Sequence, residues 1–193
     1  MHSHNPLASY YFTITPFSFL RKHGKLFRET GHGSGLQKPG NGDDMILIQD
    51  GYMIDPKSGK EGNFDILIDG DKIVKIAEKI EPKGKVTRIH AEGLLVAPGL
   101  VDVHVHFRDP GFTAKEDINT GAAAAAKGGV TTVVLMANTK PAVDSEETLH
   151  YILDKGAKTG IHVTTCANVT MGMQGKQLTD MKKLAVAGAV GFG

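Results

Sequence analysis

Short hydrophobic runs separated by turn residues occupy residues 45–97. The runs are MILIQ, FDILID, KIVKIAE and VTRIHA, and the connections contain DG, DGD and PKG. Runs of this length, rich in Ile, Leu and Val and bounded by such connections, are typical of strands and hairpins. The pattern predicts a small β-sandwich-like domain over residues 45–97, with a hairpin turn at Asp69-Gly70.

Strand-like and helix-like segments alternate after Pro98. The predicted strands are LVDVHVHF, VTTVVLMAN and IHVTTCANV, and AVGFG begins a fourth. The predicted helices are KEDINTGAAAAAKGG, SEETLHYILDKGAKTG and KQLTDMKKLAVAG, the second of them capped by Asp144 or Ser145. This alternation with short connections predicts an α/β fold of parallel βα units.

Four βα units suit either a doubly wound sheet or half of a (β/α)₈ TIM-type barrel. A complete barrel takes about 250 residues, and the chain has 193. No G-x-G-x-x-G follows any of the predicted strands, so a dinucleotide site is unsupported. The chain also ends on an unfinished strand, which indicates truncation in strand 4, and the pattern alone leaves both architectures open.

Residues 1–44 show no sustained hydrophobic period, and Pro16 divides their apolar part. A targeting peptide is the alternative to a disordered extension or an upstream mis-start, which we favour because Met45 begins a convincing protein. His2 and His4 form an H-x-H pair in this segment. We do not expect them to bind metal, since ligands need packing and supporting hydrogen bonds to hold them.

Composition narrows the functional classes. The formal net charge of +1 favours neither nucleic acid nor an anionic membrane surface. One cysteine, Cys166, cannot form an internal disulfide, and no apolar run reaches the length of about 18 residues that a membrane helix needs. Because nothing in the composition indicates secretion or a membrane span, we expect a cytoplasmic protein.

Candidate chemistry is concentrated in GLVDVHVHFRDPG, residues 99–111. Side chains alternate between the two faces of a strand. One face would carry four ionisable residues, Asp102, His104, His106 and Arg108. The other would pack its apolar residues against helices, namely Val101, Val103, Val105 and Phe107. Burying the polar face without partners would cost several kcal/mol per group, and a metal ion held by the two imidazoles would meet that need.

This segment resembles the dihydroorotase family of the amidohydrolase superfamily, in its longer, class I bacterial form. The resemblance rests on D-x-H-x-H-x-R-x-P-G, on FTAKEDINTGAAAAAKGGVTTVVLMANTKPAVD and on the initial MILIQDGYMIDPKSG, and it covers residues 45–193. It implies that residues 98–193 are the first half of the (β/α)₈ amidohydrolase barrel, truncated in strand 4. It also implies that His104 and His106 ligate zinc, which is binuclear in the full-length parent, and that Arg108 and Asn138 hold the substrate carboxylate. The implied reaction is the reversible cyclisation of N-carbamoyl-L-aspartate to L-dihydroorotate in pyrimidine biosynthesis.

The resemblance also implies that no catalytic residue lies within this chain, because the bridging and proton-shuttling aspartates are expected after Gly193. We therefore expect a fragment that is inactive alone. The alternatives are another cyclic amidohydrolase, of dihydropyrimidinase, hydantoinase or allantoinase type, and a non-catalytic subunit that scaffolds aspartate carbamoyltransferase. A homodimer is a further possible assembly.

Several other residues receive structural interpretations. Asp102 either orients a ligand imidazole or makes a structural hydrogen bond, and Asp109 shapes the Pro-Gly turn. The remainder are not expected to be functional: His90, Lys127, Asp144, His150, His162 and Cys166.

Overall fold

The computed structural model describes residues 45–70 and 72–193. The extension predicted for residues 1–44, including His2 and His4, lies outside the described residues. The chain divides into two compact units, one ending at Pro98 and one comprising Gly99–Gly193.

The first unit is a five-stranded sheet. Its strands are β1 (Met45–Asp55), β2 (Lys60–Asp69), β3 (Lys72–Ala77), β4 (Val86–His90) and β5 (Leu95–Val96). Strand β1 pairs antiparallel with β2 and parallel with β4 and β5, while β2 pairs antiparallel with β3. Strands β2 and β3 form a hairpin in which Asp69, the last residue of β2, pairs with Lys72. The described strands of this unit lie in one sheet, whereas a sandwich requires two.

The second unit alternates strands with helices. Its elements are β6 (Leu100–Val105), α1 (Ile118–Lys127), β7 (Val130–Leu135), α2 (Glu146–Gly156), β8 (His162–Thr165), a 3₁₀ turn (Met171–Met173) and α3 (Met181–Val186). The three strands form a parallel sheet in the order β6-β7-β8. Beyond β8, Ala167 forms a parallel bridge to Phe192, so the predicted fourth strand is represented by that bridge.

Side-chain caps determine where the helices of this unit begin. Asp117 accepts hydrogen bonds from the backbone N–H groups of Asn119 and Thr120 at the start of α1, and Gly128 is the C-cap at its other end. Ser145 caps α2 by accepting from the Thr148 N–H. Asp180 caps α3, which starts later than predicted because the preceding residues form a loop, in which Leu178 makes an antiparallel bridge to Thr170.

The core of the second unit lies between the helices and the sheet. Its fully buried side chains include Ile118, Val133, Leu135, Val143, Leu149 and Ile152. Burying apolar side chains of this size is the main stabilising contribution to such a layer. None of the helices in residues 45–70 and 72–193 is long and apolar enough to cross a membrane.

The prediction that the valine face of β6 packs against helices is wrong for half of that face. Val101 is 60% exposed and Val103 is 66% exposed, whereas Val105 is half-buried and Phe107 is buried in the core. The physical reason is that β6 is an edge strand in this sheet, and α1 packs against β7 and against Phe107.

Candidate metal centre

The H-x-H pair lies at the carboxyl end of β6. His104 is within the strand and His106 follows its last residue, Val105. The two rings have centroids 5.2 Å apart and planes inclined at 66°, and both residues are exposed. Two exposed imidazoles at this separation can turn their nitrogens toward one ion.

Asn138 joins the pair from the loop after the neighbouring strand, β7. Val105 of β6 is in register with Leu135 of β7, and the Met136 N–H donates to the Val105 carbonyl at 2.9 Å. This register brings the ends of the two strands together, and Asn138 Oδ1 lies 3.0 Å from His106 Nδ1. The structure thus clusters three of the four predicted site residues, His104, His106 and Asn138.

Arg108 lies in the loop after β6 with a left-handed backbone, at φ 61°. Such a conformation costs a non-glycine residue about 1–2 kcal/mol. It is held between two buried neighbours, Phe107 and Asp109. Within the described residues, no hydrogen bond or ion pair engages the Arg108 guanidinium, and none joins it to Asn138. Strain at a residue with an uncommitted charged side chain favours a functional role.

The sequence predicts that Asp109 shapes a turn, and in the structure its side chain also connects the loop after β6 to α1 and α2. Its carboxylate is fully buried and accepts from the Ile118 N–H at 3.2 Å, the Tyr151 hydroxyl at 2.9 Å and Lys155 Nζ at 2.5 Å. Burial opposes its ionisation, but the hydrogen bonds from Lys155, Ile118 and Tyr151 outweigh burial and lower the pKa of Asp109. The hydrogen bond to Asp109 raises the pKa of Lys155.

The loops after β6 and β7 are also packed directly on each other. The Lys140 N–H donates to the Pro110 carbonyl at 3.0 Å. Gly111, at φ 95°, approaches so closely that a Cβ there would lie 2.1 Å from the Lys140 carbonyl oxygen. Only glycine suits this position, and the contact ties the loop of Arg108 to the loop of Asn138.

The other residues considered in the sequence make contacts that do not involve the H-x-H imidazoles, or lie away from them. Asp102 accepts from the His104 backbone N–H at 3.1 Å, so it braces the strand and not the imidazole. Asp144 was expected to be a helix cap and instead accepts from the Gly172 N–H at 2.7 Å. His162 begins β8, at the opposite end of the strands. Burial raises the pKa of the Cys166 thiol, as expected for an inert packed cysteine.

The chemistry of the donor set fits part of a zinc site. Two imidazoles with the spacing and exposure of His104 and His106 are suitable zinc ligands. Among residues 45–70 and 72–193, no group of three or more His, Cys, Asp or Glu side chains is placed to hold an ion. A catalytic zinc normally has three protein ligands, and His104 and His106 would account for two of them.

Comparison with known proteins finds a matching family and similar sequences. A family model described as dihydro-orotase-like matches residues 93–193. The chain is 55% identical over 148 residues to the dihydroorotase of Clostridium acetobutylicum and 57% identical over 148 residues to that of Streptococcus pyogenes serotype M1. Each match covers 77% of this chain and 35% of the relative, so the chain spans about a third of the length of the relatives it matches.

Two solved structures share the fold. The L-hydantoinase of Arthrobacter aurescens superposes with a TM-score of 0.63 at 22% identity, covering 76% of this chain and 32% of that one. The D-hydantoinase of a Thermus species superposes with a TM-score of 0.54 at 29% identity, covering 65% of this chain and 28% of that one.

Proposed function

The chain belongs to the dihydroorotase-like family, and from that membership we propose that it supplies the first metal ligands and the carboxylate-binding residues of a dihydroorotase. The reaction is the interconversion of N-carbamoyl-L-aspartate and L-dihydroorotate. The observation that carries the proposal is the contact between Asn138 and His106. It puts the H-x-H pair beside a side chain that can bind a carboxylate.

Zinc is the metal that we propose for this site. His104 and His106 would hold it, and a third protein ligand would come from outside this pair. When bound, zinc acidifies a water molecule towards neutral pH and polarises the carbonyl under attack.

The residues around the pair would bind and orient the substrate. Both N-carbamoyl-L-aspartate and L-dihydroorotate carry a carboxylate that does not react. The planar guanidinium of Arg108 suits bidentate binding of that group. The Asn138 amide nitrogen makes no hydrogen bond within the described residues and can donate to the same carboxylate. Fixing the carboxylate at this end of the sheet would align the reacting amide with the metal-facing histidines.

We further propose that the second unit is the first half of an amidohydrolase barrel. The parallel order β6-β7-β8 and the bridge at Phe192 support this architecture. So does the site's position at the carboxyl ends of the strands, where barrel enzymes carry their chemistry.

The zinc assignment is tested by titrating zinc into the 193-residue chain and following its histidine side-chain resonances. We expect His104 and His106 to respond together and the H104A/H106A variant to lose that binding. The H2A/H4A variant is a matched control because it removes the other H-x-H pair. Zinc binding that survives H104A/H106A and disappears in H2A/H4A would contradict the assignment.

A second candidate function is hydantoinase-type hydrolysis of a cyclic amide that carries no carboxylate. The likeness to the D-hydantoinase at 29% identity supports it. A hybrid enzyme separates the two, in which the matched 148 residues of this chain replace those of the Clostridium acetobutylicum dihydroorotase. In this hybrid R108A should raise the KM for dihydroorotate at least about tenfold, since a charged hydrogen-bonded pair is lost. Preferential turnover of dihydrouracil, insensitive to R108A, would support the hydantoinase alternative.

A further inference from the structure

The two histidines of the H-x-H pair are in unequal environments. His106 Nδ1 lies 3.0 Å from Asn138 Oδ1, and no other hydrogen bond engages either side chain within the described residues. His104 makes no side-chain hydrogen bond in this part of the chain, and its ring contacts that of His106 edge-on. Only one of the two rings is therefore held by a polar partner.

The chemistry of the contact determines which nitrogen of His106 carries the proton. An amide oxygen has lone pairs and no hydrogen, so it can only accept. With the amide oxygen facing the ring, as it does in the structure, Nδ1 of His106 is the donor. A neutral imidazole with its proton on Nδ1 has its free lone pair on Nε2, which is the form that binds a metal through Nε2.

We propose that Asn138 is a positioning residue that locks His106 in the Nδ1–H tautomer and directs its Nε2 lone pair to the metal. This role rests on the proposed metal site and adds to the part of Asn138 in carboxylate binding. The amide nitrogen of Asn138 is left free for the carboxylate. One side chain thus links the metal-facing imidazole to the bound substrate, so that loss of Asn138 affects both.

The opposite amide orientation makes the opposite prediction. If the Asn138 amide nitrogen faced His106, Nδ1 would accept and Nε2 would carry the proton. Nε2 would then have no lone pair for a metal. The tautomer of His106 is therefore the decisive observable, and it can be recorded without any metal present.

The first experiment is a long-range ¹H–¹⁵N correlation spectrum of the metal-free 193-residue chain with ¹⁵N-labelled histidine. It is run at about pH 8, where an ordinary imidazole is neutral. We expect His106 in the Nδ1–H form, and a shift toward the other tautomer in N138L. N138D keeps an acceptor oxygen and should retain the Nδ1–H form. N119L is the matched control, because Asn119 is an exposed residue of α1.

The second experiment measures zinc affinity in the same four proteins from the same histidine resonances. N138L should bind zinc about 10–100-fold more weakly, which is the usual effect of removing the partner of a ligand histidine. N138D should restore affinity, and N119L should not change it. A carboxylate can also ligate zinc directly, so the metal-free spectrum of N138D is the deciding control. Retention of the Nδ1–H form there, together with its loss in N138L, separates positioning from folding.

Three results would overturn the positioning role. These are an Nε2–H tautomer of His106 in the unsubstituted chain, a tautomer indifferent to N138L, and a zinc affinity indifferent to N138L. Failure of the proposed metal site is distinguishable from all three. In that case zinc would not perturb His104 and His106 at all, while the metal-free spectra would still report the hydrogen bond.

Discussion

Lys155 on α2 places its Nζ 2.5 Å from Oδ2 of Asp109, in the loop that carries Arg108. The Asp109 side chain is fully buried, while the Lys155 side chain is 28% exposed. Tyr151, one turn before Lys155, donates to the other carboxylate oxygen at 2.9 Å. These contacts with Asp109 fix the loop after the H-x-H pair to α2. Removing them should therefore change the stability of the chain.

Replacing Lys155 with Met should lower the free energy of unfolding by about 3 kcal/mol. The reason is that breaking a buried pair leaves an uncompensated charge in the interior. Urea denaturation of the 193-residue chain measures the change. K183M is the matched control, since Lys183 pairs with Glu146 on the surface, where ion pairs contribute little. Equal effects of K155M and K183M on the free energy of unfolding would contradict the conclusion that the buried Asp109–Lys155 pair stabilises the fold more than a surface pair does.

The same pair predicts a pH profile of stability. The pKa of Asp109 is lowered in the folded chain, so its contribution is present above the unfolded value of about 3.9 and is lost as the pH falls through the lower folded value. The pKa of Lys155 is raised, so its contribution is present below about 10.4 and is lost as the pH rises through the higher folded value.

The free energy of unfolding that this pair contributes should therefore be constant between about pH 5 and pH 9. Urea midpoints measured across the pH range for the unsubstituted chain and for D109N/K155M provide the test. The difference between the two proteins should shrink at both extremes. A difference that grows in acid would contradict the lowered pKa of Asp109.

The secondary-structure elements and the H-x-H pair could be predicted from the sequence, because each is marked by residues only a few positions apart. The strand carrying His104, the poly-alanine helix and the Ser145 cap all follow from spacings of a few residues. The roles of Asp109 and Asp144 could not be predicted that way. The side-chain partners of Asp109 lie 42 and 46 residues away, and Asp144 accepts from Gly172, 28 residues away.

The same limit applied to the two faces of β6. Alternation correctly separates the apolar from the polar positions, but it does not say which apolar positions a helix covers. Phe107 is covered by α1, whereas Val101 and Val103 on the same predicted face are exposed. The contact of His106 with Asn138 likewise spans 32 residues and depends on the register of β6 with β7.

Adding a methyl group at Gly121 should destabilise the chain even though alanine is the better helix former. A Cβ at position 121 would lie 2.5 Å from the buried Phe107 ring. Overpacking of this kind costs about 1–3 kcal/mol, which exceeds the helix-propensity gain of about 1 kcal/mol. Urea denaturation should show G121A to be less stable, and the resonances of the adjacent His106 should shift.

G128A is the control for this prediction. Gly128 follows the same helix at φ −85°, and the nearest atom to an added Cβ is the Ala125 carbonyl oxygen at 3.4 Å. Alanine fits there without a clash, so G128A should leave both the stability and the His106 resonances nearly unchanged. If G121A behaved like G128A, the close packing of α1 on Phe107 would be wrong.

The left-handed backbone of Arg108 predicts a reversal of the usual ranking of alanine and glycine. R108A and R108G both remove the guanidinium, but only glycine adopts φ 61° without strain. R108G should therefore unfold at a higher urea concentration than R108A, by about 1 kcal/mol in free energy. Exposed Glu147 on α2 provides the comparison, because there E147G should be less stable than E147A. The same ranking at both positions would show that Arg108 is not held in a strained conformation, and would remove one reason for assigning it a functional role.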